Sequence, residues 1–415
     1  MMRRVVITGI GALSPLGHDW PTVLARLRSQ KNVVRIMPGW EEYAGLNTRV
    51  GAPAAPIEFS ATTYHRKRTR SMGRVALLSV RATEMALADA GLLGKEMLSS
   101  GQVGIAYGSS SGSPPSIAEM GGMLVNKTTA NITATTYIRM MSHTAAVNIG
   151  IFFGIQGRII PVSSACTSGS QSIGYAYETI QNGRQSVMLA GGAEELDPTQ
   201  AAIFDALFAT SVKYNEMPWL TPRPFAADRD GLVLGEGACT LVLEDLQHAL
   251  DRGARIVAEV VGFGTNSDGA HVTQPHSSTM AQAMRLALES AQMSPNDVGY
   301  VNAHGTATDQ GDIAESQATH EVFGQRIPIS SLKSYMGHTL GACGALEAWM
   351  TVAMMQEEWF APTLNLGQVD ARCASLDYIR EEGRNISTDV VMSNNFAFGG
   401  INTALIFRRW PHERK

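Results

Sequence analysis

An order of elements occurs twice in this chain. The helix-like run Met85-Ala86-Leu87-Ala88-Asp89-Ala90-Gly91-Leu92 is followed by the strand-like Val103 to Tyr107. About 200 residues later the pattern returns as Met284-Arg285-Leu286-Ala287-Leu288-Glu289-Ser290-Ala291, followed by Val298 to Val301. Upstream, Val5 to Gly11 is matched by Ile256 to Gly264. Downstream, the turn at Cys166 and its helix are matched by the turn at His338 and the apolar helix from Leu340 to Met355. The copies differ residue by residue but keep their order. Near-continuous apolar strands alternating with helices predict parallel sheets covered on both faces. The expected fold class is α/β, with two pseudo-duplicated halves, 1–250 and 251–415, sharing one core.

Cys166 lies in the run Pro161-Val162-Ser163-Ser164-Ala165-Cys166-Thr167-Ser168-Gly169-Ser170. Before it, Arg158-Ile159-Ile160 and Val162 read as a short strand. After it, Ile173, Ala176, Tyr177 and Ile180 fall at helical spacing, with Gly183 as a stop. A thiol at such a junction meets the positive end of the helix dipole and free backbone N–H groups, which are expected to lower its pKa. A buried cysteine near a helix start is more often a packing residue. Two later segments change the weighing: Asn302-Ala303-His304-Gly305-Thr306-Ala307-Thr308-Asp309, and Lys333-Ser334-Tyr335-Met336-Gly337-His338-Thr339-Leu340-Gly341.

Other features exclude functions. A net charge of −4 argues against a nucleic-acid binder. No apolar run reaches membrane-spanning length, and the start Met1-Met2-Arg3-Arg4 leads directly into a strand, so a cytoplasmic protein is expected. The four cysteines, Cys166, Cys239, Cys343 and Cys373, form no CxxC pair and fit reduced thiols. Val5 to Gly17 contains Gly9-x-Gly11, but it lacks the third glycine of a dinucleotide site and Pro15 interrupts the helix start. His271 and His276 share a loop without a carboxylate as third ligand, so no metal site is expected. Asp228, Arg229 and Asp230 read as an ion-paired structural loop.

One Cys, two His and a Lys in glycine-rich loops, in this order, resemble the β-ketoacyl-(acyl carrier protein) synthases, over essentially the whole chain. The turn Asn394-Asn395-Phe396-Ala397-Phe398-Gly399-Gly400-Ile401-Asn402 is similar to the family's NSFGFGGTN, with Ala397 for a glycine and Ile401 for a threonine. The alanine is expected to stiffen the loop, since it resists positive φ. The resemblance implies a thiolase-like fold with a five-layered α-β-α-β-α core, whose halves each lend residues to one site. It implies decarboxylative condensation of malonyl-carrier with an acyl chain held on Cys166, in fatty-acid elongation. The N–H groups of Cys166 and Phe398 would form the oxyanion hole. His304 and His338 would hold the enolate oxygen as neutral imidazoles, through Nε2–H, with Lys333 in electrostatic support and Glu347 satisfying a buried network.

Thr306 and Thr308 would bind the phosphopantetheine arm, and Ser111 falls about where relatives gate the acyl chain. Arg66, Lys67 and Arg70, in a basic patch that opens a helix, would dock the acyl carrier protein. No cofactor or metal is implied, and the assembly would be a homodimer, or a heterodimer with a related ketosynthase subunit. Two alternatives share the resemblance: a ketosynthase of a specialised polyketide or polyene pathway, and a non-catalytic partner subunit. A thiolase would place a second Cys in a C-terminal CxG turn, an initiating synthase would carry Asn in place of His338, and a chain-length factor would lack Cys166.

Overall fold

In the computed structural model, which describes residues 2–411, the first apolar run forms β1 (Val5–Leu13). The first half adds β2 (Val103–Gly108), β3 (Ile159–Val162), β4 (Val187–Glu194) and β5 (Gly237–Asp245). The second adds β6 (Ala258–Ser267), β7 (Tyr300–Asn302), β8 (Pro328–Ser330), β9 (Asp377–Tyr378), β10 (Val390–Phe396) and β11 (Ile401–Arg409). These pair in the order β9-β8-β7-β10-β11-β6-β1-β5-β4-β2-β3. Outward from the centre, β1-β5-β4-β2-β3 and β6-β11-β10-β7-β8 have the same sequence of orientations. Two antiparallel pairings are followed by two parallel ones. The all-parallel expectation is therefore corrected: each half is a mixed sheet. Within the large sheet the halves pair through Val5–Ile7 of β1 against Ala258–Val260 of β6.

The helices complete the layers. Helices α1 (Arg74–Asp89) and α2 (Thr144–Phe153) cover the outer face of the first half, and α5 (Ser277–Ala291) and α6 (Asp309–Phe323) that of the second. Between the halves lie α3 (Ser168–Gln181) and α7 (Cys343–Glu357), which touch strands of both. α7 is buried from Cys343 to Met355, which explains its apolar character all round. The remaining labelled helix, α4 (Pro198–Ala206), follows β4.

The two GxG runs have a packing cause. A Cβ at Gly11 would lie 2.1 Å from the carbonyl oxygen of Ala82 on α1, and one at Gly264 2.1 Å from that of Ala283 on α5. Each strand lets its outer helix approach to backbone contact. The symmetry extends to the central helices. Ala165 (φ 50°) and Leu340 (φ 46°) both occupy the left-handed region, each as the first residue of a short helical turn that leads into α3 or α7. Non-glycine residues are strained there, and such strain persists where the surrounding structure over-determines it.

Candidate active site

Cys166 lies in the 3-10 turn Ala165–Thr167 between β3 and α3 and is 5% exposed. Burial pushes its thiol up to about 11. The Lys333 ammonium and the backbone N–H groups of Phe398 and of Cys166 itself pull the other way without prevailing. The expectation of a lowered pKa is therefore corrected: the dipole end and its N–H groups are present, but desolvation outweighs them. Those two N–H groups converge on the sulfur, where an oxyanion of an acyl-thioester adduct would form.

The two histidines come from matching places in the second half. His304 follows β7, and His338 follows the one-turn helix Lys333–Met336. Their rings stand edge to face with centroids 5.0 Å apart. The Cys166 sulfur and one ring nitrogen of each histidine lie within 4.8 Å of one another. Both tautomers follow from neighbouring donors. Leu340 N–H donates to His338 Nδ1 at 3.2 Å, and Lys333 Nζ donates to His304 Nδ1 at 3.1 Å. An acceptor Nδ1 leaves the proton on Nε2 in each ring. Burial, then the Lys333 charge, lowers both pKa values well below the ordinary range, so both imidazoles are neutral. Among the described residues His338 Nε2 has no hydrogen-bond partner, and His338 lines the cavity.

Lys333 is 1% exposed and ion-paired with Glu347 Oε1 at 2.5 Å, while Asn395 Nδ2 donates to Glu347 Oε2 at 2.7 Å. Burial works against the Lys333 charge, and the adjacent carboxylate holds the ammonium above its ordinary pKa. That charge adds to burial in keeping His304 neutral. A cavity of about 230 Å³ opens over Cys166, His304 and His338, with Thr306, Thr308 and Phe398 on its wall. Thr306 and Thr308 pair through their hydroxyls at 2.9 Å, and Phe204 of α4 stacks on Phe398 with centroids 5.3 Å apart.

Ser111 is not brought into this cavity. Its turn meets the site through neighbouring residues: the Ser163 hydroxyl donates to the Ser110 carbonyl at 3.3 Å, and the Ser110 N–H donates to Glu194 at 2.9 Å. Arg66, Lys67 and Arg70 also lie away from the cavity lining and are exposed. The basic residues do not open α1, as expected, but form a separate turn, Arg66–Thr69. Arg68 is held over the Phe152 ring, and Arg74 pairs with Glu236. Ala397 keeps negative φ, while Gly399 and Gly400 supply the left-handed turn at φ 89° and 74°. The alanine therefore carries no backbone strain in this conformation.

Sequence reading missed several participants. Glu315 of α6 is buried and accepts the N–H groups of His304 and Gly305, each at 2.7 Å, and burial pushes its carboxyl up to about 8. Asp309, Asp312 and Glu315 recur every three residues at the start of α6, a spacing that could have flagged it. Cys343 donates its thiol to the Cys166 carbonyl at 3.2 Å. Nothing in its local sequence separates it from a packing residue.

The family described as Beta-ketoacyl synthase, N-terminal domain, matches residues 2–249, and its C-terminal domain matches 257–367. The 3-oxoacyl-[acyl-carrier-protein] synthase 1 of Haemophilus influenzae is 36% identical over 424 residues, covering 99% of this chain and 100% of that protein. A crystal structure of a β-ketoacyl synthase from Burkholderia phymatum superposes with TM-score 0.97 at 60% identity, covering 99% of this chain and 100% of that one. A type II polyketide acyl-carrier protein in complex with its ketosynthase gives TM-score 0.88 at 30% identity, covering 99% and 100%.

Proposed function

The chain belongs to the β-ketoacyl synthase family and is a condensing acyltransferase of thiolase-like fold; on that premise we propose that Cys166, His304 and His338, with Lys333, perform the condensation of fatty-acid elongation. The observation that carries the assignment is the pair of neutral imidazoles, each with Nδ1 occupied by a donor, set against one buried thiol.

The Cys166 sulfur attacks the carbonyl of an acyl-carrier thioester, and the carrier thiol leaves with a proton. The N–H groups of Cys166 and Phe398 take the developing oxyanion. Malonyl-carrier then enters. Its carboxylate departs as CO₂, and the electron pair left behind is delocalised onto the thioester oxygen, where both Nε2–H groups donate. The carbanion attacks the acyl-Cys166 carbonyl, the new C–C bond forms, and the thiolate is expelled. Lys333, paired with Glu347, holds His304 in the donor tautomer. No step requires a metal or an organic cofactor, since the substrates bring their own activated thioesters.

Thr306 and Thr308, on the cavity wall, are proposed to bind the pantetheine arm, and the exposed Arg66, Lys67 and Arg70 to dock an acidic acyl carrier protein. Halves 1–250 and 251–415 are read as an internal duplication, supported by their matching strand order. Exposed apolar side chains at Leu124, Val125 and Ile151, together with the open edge strand β3, support a dimer with a second copy or a related ketosynthase subunit. Ser111, in the turn after β2, is proposed to line the acyl tunnel, its small side chain leaving room for medium or long chains, and Ser111→Phe should then exclude longer acyl donors while sparing the shortest. The test of function is formation of β-ketoacyl-carrier from acyl- and malonyl-carrier. Wild type should form it, and Cys166→Ala should not.

A further inference from the structure

Glu194, the last residue of β4, touches none of the reacting groups, yet its carboxylate joins the two turns that carry them. The side chain is fully buried. Oε2 accepts the backbone N–H of Ser110 at 2.9 Å and that of Gly341 at 3.0 Å. Oε1 faces the Ser109 hydroxyl at 3.4 Å and Gln200 Nε2 at 3.3 Å. On one side, the Ser110 carbonyl receives the hydroxyl of Ser163, on the segment entering Cys166. On the other, Gly341 directly follows Leu340, whose N–H fixes the His338 tautomer. One oxygen thus spans the flank of the nucleophile and the turn of a histidine from the other half of the chain.

The approach is close enough to restrict the sequence. A Cβ at position 341 would lie 2.8 Å from Glu194 Oε2 and 2.9 Å from the Ser110 nitrogen. An apolar residue at position 194 could fill this volume, but it would leave two buried N–H groups without an acceptor. A carboxylate here is costly to bury, and burial pushes it up to about 7 while the N–H donors oppose that shift. The arrangement makes sense as a geometric clamp.

We propose that Glu194 is a positioning residue of the condensation, acting through Ser110 and Gly341 to set the distance between the Cys166 turn and the His338 turn. It holds the sulfur and the His338 Nε2–H convergent on one substrate, and it touches no substrate itself. The inference rests on the condensing-enzyme reading above. Its essential property is reach, one acceptor oxygen at the end of a two-carbon stem, and not charge.

Two variants separate reach from charge in malonyl-carrier decarboxylation. Glu194→Gln keeps the acceptor at the same reach and should retain kcat within about threefold. Glu194→Asp keeps the charge but falls one methylene short of bridging both amides. It should lose about 10²-fold in kcat, as small displacements of reacting groups do, with the KM for malonyl-carrier unchanged. Full activity in Glu194→Asp overturns the proposal. So does a loss in Glu194→Gln equal to that in Glu194→Asp, or a fall in the Glu194→Asp rate no larger than its loss of folded protein by circular dichroism, which marks a merely structural role. Wild-type protein that does not decarboxylate malonyl-carrier would refute the functional reading itself, whatever the variants do.

Discussion

Cys166 is subject to opposed influences, and the stronger comes from tertiary packing. A helix start and two N–H groups favour the thiolate, but burial holds the thiol up to about 11. A thiol with a raised pKa is protonated at neutral pH, so its reactivity must climb as pH rises. Alkylation of Cys166 by iodoacetamide should accelerate from about pH 7 to 10 without levelling off near the ordinary cysteine value of about 8.5. A plateau below about pH 8 would contradict the burial argument. The histidines run in the opposite sense. Their lowered pKa values keep them neutral, hence in the donor form, above those values. Malonyl-carrier decarboxylation should show no inflection at the ordinary histidine pKa of about 6.5. Removing either donor, in His304→Ala or His338→Ala, should cost about 10²–10³ in the decarboxylation rate, and a wild-type rate in either would remove that histidine from the mechanism. The residue types were legible in the sequence. So was the neutral Nε2–H form that the chemistry calls for; what holds it was not, because that depends on Lys333 and on the Leu340 N–H meeting the rings in three dimensions.

Among the elements, the Asp228–Asp230 loop is the structural ion-pair network that its sequence suggests. Arg229 is 2% exposed and pairs with Asp370 at 2.6 Å, with Asp309 at 3.4 Å and with Asp312 at 3.6 Å. Asp312 in turn accepts the N–H groups of Phe225, Thr306 and Ala307. Arg229→Met leaves the buried Asp312 without a cation, while Asp370 keeps Arg372, and should destabilise the fold by about 3–5 kcal/mol, read from urea denaturation. A change within ±0.5 kcal/mol, about that of an ordinary surface substitution, would contradict that role. The basic turn Arg66–Thr69 is a different case. Arg66, Lys67 and Arg70 form no ion pair among the described residues, whereas Arg68 and Arg74 are held by packing and by Glu236. Charge reversal at Arg66, Lys67 and Arg70 should raise the KM for a carrier-bound substrate and leave a free pantetheine thioester unaffected. The effect should fade with salt, because exposed charges are screened over about 8 Å at physiological ionic strength. Equal losses on both substrates would place those residues in the fold. A run of basic letters could not be divided in this way from sequence, because the division depends on the Phe152 ring and the Glu236 carboxylate nearby.

For the whole molecule, the duplicated order of elements was legible, and so was the pairing of the Cys166 turn with the His338 turn. The antiparallel centre of each half was not. A strand buried on both faces is apolar throughout whichever way its neighbours run, so β5 and β11 carry no sign of direction. Helices α3 and α7 hold the halves together and give one site its cysteine from one half and its histidines from the other, so neither half is expected to act alone. No helix among the described residues is long and apolar enough to cross a membrane. The exposed Leu124 and Val125 (63% and 79%) should instead be covered by a second subunit. Leu124→Asp with Val125→Asp should convert a dimer to a folded monomer in sedimentation, and an unchanged sedimentation coefficient would place the interface elsewhere. The account as a whole depends on Cys166 becoming acylated. The most direct measurement is the intact mass of the protein after incubation with an acyl-loaded carrier protein, with the adduct mapped by peptide fragmentation. The expected result is one acyl group per chain, on Cys166, absent in Cys166→Ala. An unmodified wild-type chain, or an acyl group that persists in Cys166→Ala, would contradict it.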